Sequence, residues 1–277
     1  MIQVIAWFIL LFLVNLSQPG FGLAAPEVGE TLEVLQYRVS LGIWSEVALV
    51  QLRLARLGPN RYRAEFSGAA QGAWRLLSRW LPEGYETEML LEGGRLKPLI
   101  YREVFKSKGH HIRKEYHFDY SRNVLEVWRG VDYQPLVKSW QAPMREPVYD
   151  PLSLFYNLRL GTFGVLQAGQ NLRVVLVPAS ESREMVLRLG SETYAGRKVM
   201  LEVTGQKRED EAGPYFLFCT PQWAPLEAWT RVPFFGKLGG HLLNPESIMP
   251  GGGLNLPSPP NRKDLEEYTP DARTTFP

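Results

Sequence analysis

Apolar and polar residues alternate with a period of two along most of this chain, the pattern of strands that bury one face. Leu35, Tyr37, Val39 and Leu41 point one way while Gln36, Arg38 and Ser40 point the other. Beyond a turn near Gly42, Ala48, Val50, Leu52 and Leu54 share a face, and Gly58-Pro59-Asn60 marks a hairpin before Tyr62, Ala64 and Phe66. Residues 72–81 break the alternation, because Trp74, Leu77 and Trp80 or Leu81 recur at three and four. A short helix or wide loop crossing an edge or mouth of the sheet is expected there. Tyr85, Thr87, Met89 and Leu91 then oppose Glu86, Glu88 and Glu92, and Leu99, Tyr101 and Phe105 follow the Gly93-Gly94 turn. In 111–120, Ile112, Tyr116, Phe118 and Tyr120 oppose His111, Arg113, Glu115, His117 and Asp119. Ser121-Arg122-Asn123 turns the chain into a strand over 124–128, and 130–149 reads as irregular.

The run from Tyr149 to Arg159 is different, and it predicts a helix over 150–160. Asp150 can accept the free N–H groups of a first turn, and Pro151 suits the position after it. Leu152, Phe155 and Tyr156 fall on one face and Leu154 and Leu158 on another, leaving Ser153, Asn157 and Arg159 as the polar points. A helix apolar over most of its circumference must be enclosed. Five further strands are expected over 172–177, 185–189, 199–203, 215–219 and 226–234, each bounded by Gly, Pro or Ser. Short spacing with hairpin-like turns indicates an antiparallel meander. The expected fold is mainly β: a strongly curved antiparallel sheet, a half-barrel or open barrel, wrapped around one central helix, in the manner of lipoprotein carriers. From residue 244 the periodicity stops and Pro and Gly dominate, so 244–277 reads as a disordered tail.

The N-terminus changes where this fold would work. Residues 4–14 are an unbroken apolar run, followed by Leu23-Ala24-Ala25, which reads as a secretory signal cut after Ala24. An uncleaved anchor is the alternative, since no Lys or Arg precedes the run. Residues 25–243 then form a single domain of an exported protein, in the periplasm or associated with the envelope. Cys219 is the single cysteine, so no internal disulfide is available, and its place after Tyr215-Phe216-Leu217-Phe218 reads as buried. A formal charge of +2 on 277 residues argues against a nucleic-acid partner.

Candidate chemistry is sparse. His111 and His117 share a strand face about 20 Å apart, too far to hold one ion together. His117 with Asp119 falls short of the usual ligand count for zinc, so no metal and no cofactor are expected. No nucleophile-elbow, zincin, P-loop or dinucleotide motif occurs. Glu86, Glu88 and Glu92 share a face opposite the apolar one, which reads as wet and places these acids outside. The basic cluster Arg102, Lys106, Lys108, His110, His111, Arg113 and Lys114 straddles one hairpin and reads as a solvated face or, alternatively, a contact for anionic lipid. Trp74 and Trp80 are either a plug over the core or the rim of a cavity.

Several stretches in order resemble an exported bacterial family, domain-of-unknown-function family 3108. These are Leu35-Gln36-Tyr37 through Leu54, Tyr62-Arg63-Ala64, Lys97-Pro98, Phe118-Asp119-Tyr120, Asp150-Pro151-Leu152-Ser153, and Val232-Pro233-Phe234-Phe235-Gly236-Lys237-Leu238. The likeness covers 35–243. Relatives often carry Trp in place of Phe218, so the chain departs there. The resemblance implies an exported β-rich domain and brings no catalytic residues. The expected role is non-catalytic: binding a lipid or other amphipathic envelope molecule between the concave face and the helix. The lining residues would be Trp74, Trp80, Tyr85, Met89, Tyr101, Tyr116, Phe118, Phe155 and Tyr156. Alternatives are a structural or assembly factor with a filled core, meeting an envelope protein partner, and a glycan-modifying enzyme.

Overall fold

The structure, a computed structural model, describes residues 29–72, 82–107, 109–164, 167–177, 183–193, 196–203, 215–219, 224–232, 236–248 and 256. The expected leader, Trp74 and Trp80 in the crossing segment, and the tail beyond 248 other than residue 256 lie outside the described residues.

Among the described residues, fifteen strands form one sheet. They are β1 (Glu30–Leu41), β2 (Trp44–Arg56), β3 (Arg61–Ala70), β4 (Pro82–Glu92), β5 (Arg95–Ser107), β6 (His110–Asp119), β7 (Val124–Val131), β8 (Val137–Pro143), β9 (Val148–Tyr149), β10 (Asn171–Leu176), β11 (Arg183–Thr193), β12 (Gly196–Val203), β13 (Tyr215–Cys219), β14 (Ala224–Val232) and β15 (Gly236–Leu242). A helix, α1 (Pro151–Arg159), separates β9 from β10. The spatial order is β8-β7-β6-β5-β4-β3-β2-β1-β15-β14-β13-β12-β11-β10-β9. Thus the first and last strands meet mid-sheet, with Tyr37 opposite Leu242. Neighbours are antiparallel except β9 and β10, where Val148 and Tyr149 run parallel to Val175 and Leu176.

Two observations require strong curvature. The edge strands β8 and β9 are joined through residues 144–147 alone. Five Cα steps reach at most about 19 Å, whereas a flat sheet of this size would hold its edges about 65 Å apart. The edges must therefore come round toward each other, although they do not pair. The second observation is that strands far apart in the order meet the same helix.

That helix begins as its sequence dictates. The Asp150 carboxylate accepts from the N–H groups of Leu152 at 2.9 Å and Ser153 at 3.0 Å, and the Ser153 hydroxyl accepts from the Asp150 N–H at 3.0 Å. Every residue of α1 except Phe155 is buried. Its few polar side chains are its attachments to the sheet. Thr87 of β4 donates to Asp150 at 2.9 Å. Asn157 accepts from the Leu96 N–H of β5 at 3.0 Å and donates to the Leu96 carbonyl at 2.7 Å, occupying the place of a neighbouring strand. Arg159 forks onto Glu33 of β1, with Nη2 to Oε1 at 2.7 Å, and the side chains are 1% and 0% exposed. β1 and β5 would lie about 19 Å apart in a flat sheet, yet both bond to residues two apart on α1. The sheet wraps the helix.

Two expectations on strands and one on the tail are corrected. The segment 130–149 is not irregular throughout, since it carries the end of β7, all of β8 and β9. β15 was not anticipated because Gly239-Gly240 dilutes its alternation, although Leu238, Gly240 and Leu242 are its buried positions. The chain also stays ordered just past 243: Asn244 accepts from the Gln36 N–H at 2.7 Å and donates to the Val34 carbonyl at 2.9 Å before a 3₁₀ turn, Pro245–Ser247.

The convex face differs from the expected wet row. Glu86 and Glu88 are 6% and 8% exposed. They are covered by Arg63 and Arg102, which bridge between them, with Arg102 Nη1 at 2.8 Å from Glu88. Arg61 and Glu115 extend the network.

The buried Arg159–Glu33 pair predicts an asymmetric mutational outcome. Arg159→Met leaves the Glu33 charge uncompensated and lowers unfolding stability by roughly 3–5 kcal/mol, whereas adding Glu33→Leu recovers most of that loss. Urea denaturation of the two single variants and the double variant measures this, and additive losses would contradict it.

Candidate ligand-binding site

A bulge determines which side chains of β5 face inward. Across β4 and β5, Met89 opposes Pro98 while Glu88 opposes Ile100, so Leu99 is an extra residue. An extra residue reverses the alternation. Leu96 and Pro98 face inward before it, and Tyr101 and Glu103 face inward after it, all four buried. Cross-strand pairing then fixes one inner row: Leu35, Leu52, Phe66, Tyr85, Glu103, Lys114 and Arg129, on β1 to β7 in sheet order. Along that row burial gives way to solvent. Phe66, Tyr85 and Glu103 are buried, Lys114 is half-buried and Arg129 is exposed.

Aromatic rings gather about this transition. Phe66 to Tyr85, Tyr85 to Tyr101, and Tyr101 to Tyr116 have ring centroids 5.7, 6.2 and 5.6 Å apart. Glu103 stands among them, completely buried, and neither carboxylate oxygen meets a donor at full hydrogen-bond geometry, the Tyr116 hydroxyl interacting with it only loosely. Burial pushes its pKa up to about 8, against the opposing influence of Lys114 and of the nearby Tyr116 hydroxyl. It is therefore a neutral carboxylic acid at pH 7, able to donate a hydrogen bond. Burial, and next the Glu103 carboxyl, raise Tyr85, Tyr101 and Tyr116 well above the ordinary tyrosine value, so these phenols stay protonated. The hydroxyls of Tyr62, Tyr101 and Tyr156 also lack partners. An unpartnered buried polar atom costs about 1–3 kcal/mol.

Of the expected lining residues, Tyr85, Tyr101 and Tyr116 come together around Glu103. Met89 is buried in the same interior, opposite Tyr62 and Pro98. Phe118 is buried opposite Leu125 on β7. Phe155 and Tyr156 meet edge to face at 4.9 Å beneath the Arg159 guanidinium, at the far end of α1 from Asp150. Trp74 and Trp80 lie outside the described residues.

The reading from sequence missed Glu103 and Lys114. Each interrupts an apolar stripe at period two, Tyr101-Glu103-Phe105 and Ile112-Lys114-Tyr116, and that interruption was the available signal. Lys114 does not belong to the outer basic cluster to which its neighbours in sequence assigned it. It faces inward, with its ammonium 5.3 Å from the Phe105 ring centre. Nor do all acids lie outside, because Glu33, Glu103 and Asp150 are buried on the inner side. His117 pairs with Glu115 at 2.8 Å, and Asp119 accepts from the Ser121 hydroxyl and the Arg122 N–H.

The buried acid carries a pH signature. A carboxyl group held at about 8 in the fold, against 4.5 ordinarily, contributes stability that is complete below the ordinary value and is lost as pH rises through about 8. Wild-type protein should lose stability from about pH 5 to pH 8, with a slope approaching at most roughly 1.4 kcal/mol per pH unit from this group, and level off above that. Glu103→Gln should be flatter over the same window. Thermal unfolding against pH measures the difference, and identical profiles would show that Glu103 is not held neutral by burial.

No curated protein matches the chain. A crystal structure similar to it is that of a β-barrel-like protein of domain of unknown function DUF1849 from Brucella abortus, at 11% identity, covering 78% of this chain and 97% of that one with a TM-score of 0.47. A family model described as protein of unknown function (DUF3108) matches residues 36–206, a span running from β1 through β12 and holding the helix, the tyrosines, Glu103 and Lys114. The chain belongs to the DUF3108 family.

Proposed function

We propose that this is an exported, non-catalytic envelope protein that binds an amphipathic molecule within the curved sheet, its polar end at Glu103 and its apolar part against the inner face. One observation carries the reading: Glu103 is fully buried with neither oxygen in a hydrogen bond of full geometry and only the Tyr116 hydroxyl interacting with it, amid aromatic side chains, one strand inward from half-buried Lys114. Buried polar groups are normally matched, and one that is not, on a concave face, is a place for a ligand to supply the partner. The apolar run at 4–14 supports export.

The inner acids also bear on catalysis. Glu33 is committed to Arg159, and Asp150 to the first turn of α1 and Thr87. That leaves Glu103 as the one uncommitted buried acid among the described inner residues, where glycoside hydrolysis needs two. A second reading, an assembly factor with a filled core, is favoured by the β1–β2 turn, where Ile43 is 90% and Trp44 45% exposed.

Native mass spectrometry of protein purified from the exported fraction separates the two. The binding reading expects a reproducible adduct of one amphiphile per chain that disappears on solvent extraction. Bare protein in repeated preparations, together with capture of an envelope protein that Trp44→Ala abolishes, would support the assembly reading instead.

A further inference from the structure

The interior site has a definite charge character. Glu103 and Lys114 are direct cross-strand opposites on the inner face, where side chains of such a pair start about 4.5–5.5 Å apart. They do not close on each other: Glu103 makes no hydrogen bond of full geometry, its one side-chain interaction of that kind being a loose one with the Tyr116 hydroxyl, and the Lys114 ammonium rests over the Phe105 ring. Two groups of opposite type thus stand side by side without satisfying one another.

We propose that Glu103 and Lys114 together receive the monoanionic headgroup of an amphiphile, the Glu103 carboxyl and the Tyr101 hydroxyl donating hydrogen bonds and Lys114 balancing the charge. This rests on the reading that the interior binds an amphiphile, and adds which headgroup it takes. The groups facing the site settle the sign. From β4 comes Tyr85, from β5 Tyr101 and Phe105, and from β6 Lys114 and Tyr116. From β7 comes Arg129, one place further along the row and exposed. From α1 comes Asp150, whose carboxylate is taken by Leu152, Ser153 and Thr87. With Glu103 neutral, Lys114 is, among the described residues, the single charge at the half-buried end of the site. A monoanion cancels it, a dianion exceeds it, a cation opposes it, and a neutral headgroup leaves it unmatched. Carboxylates and phosphodiesters both meet this description.

A proton is coupled to the binding. Ionising Glu103 removes the donor and sets a like charge against the headgroup, so affinity falls as the carboxyl group titrates. With the carboxyl held at about 8, roughly a tenth of the protein is competent at pH 9, which weakens apparent affinity about tenfold relative to pH 6.

Isothermal titration of the full purified chain tests this with dodecanoate, a dodecanoyl lysophosphatidylglycerol and dodecanol as probes, each below its micelle concentration. Expected are binding of one or both anions at least tenfold tighter than dodecanol at pH 6, a loss of about tenfold on going to pH 9, and a flattened pH profile in Glu103→Gln. Lys114→Gln, at a half-buried position, should abolish the preference for the anions over the alcohol. Preference for dodecanoate alone or for the lysolipid alone identifies the headgroup as carboxylate or phosphodiester. Equal binding of anions and alcohol, or an anion preference that survives Lys114→Gln, overturns the headgroup assignment while leaving the amphiphile reading intact. Failure of all three probes to bind overturns both.

Discussion

The three polar attachments between α1 and the sheet are the constraint on which the rest of the structure depends. Asp150 to Thr87, Asn157 to Leu96 and Arg159 to Glu33 join one short helix to β4, β5 and β1. A helix of nine residues has little stability of its own in water, and a strongly twisted sheet of fifteen strands does not stay open and flat unaided. Each supplies what the other lacks. The helix fills and curves the sheet, and the sheet provides partners for polar groups that could not otherwise be buried. Apolar packing drives this association but is tolerant of sliding, whereas a forked Arg–carboxylate bond and a two-bond amide clamp hold only one register.

Asparagine serves one structural purpose twice. Asn157 binds the N–H and carbonyl of Leu96, and Asn244 binds the Gln36 N–H and the Val34 carbonyl. In both places a length of strand edge without a neighbouring strand is completed by a side-chain amide, which carries the donor and acceptor of a peptide group. Such completion lets the sheet end its pairing without leaving buried backbone unmatched.

The two faces of β3 to β6 show how the same chemistry serves opposite ends. On the convex side Glu86 and Glu88 are screened by Arg63 and Arg102, so each charge has partners. On the concave side Glu103 has no partner at full hydrogen-bond geometry and stays neutral because burial, which outweighs Lys114 and the Tyr116 hydroxyl, disfavours its ion. A matched network rigidifies, while an unmatched group costs stability and is available to a guest. The change from buried to exposed along Tyr85, Glu103, Lys114 and Arg129 places that group where the interior approaches solvent.

By itself the sequence determined the class of fold. Period-two alternation depends on side chains of successive residues pointing to opposite faces, a local property, and the helix start at Asp150-Pro151 is equally local. Hence the meander, the enclosed helix and the family likeness were legible in the residues. Asp150, Asn157 and Arg159 were visible as polar positions too, but their partners Thr87, Leu96 and Glu33 lie far away in the chain. β15 was hidden because its glycines blur the alternation, and β9 because two residues are too few to show any. The tertiary structure alone decided the candidate site. A single extra residue at Leu99 reverses every side chain after it, and only pairing with β4 and β6 shows that Glu103 is enclosed and Lys114 stands beside it. Alternation along one strand cannot count a bulge, because the bulge exists only relative to the strand it faces.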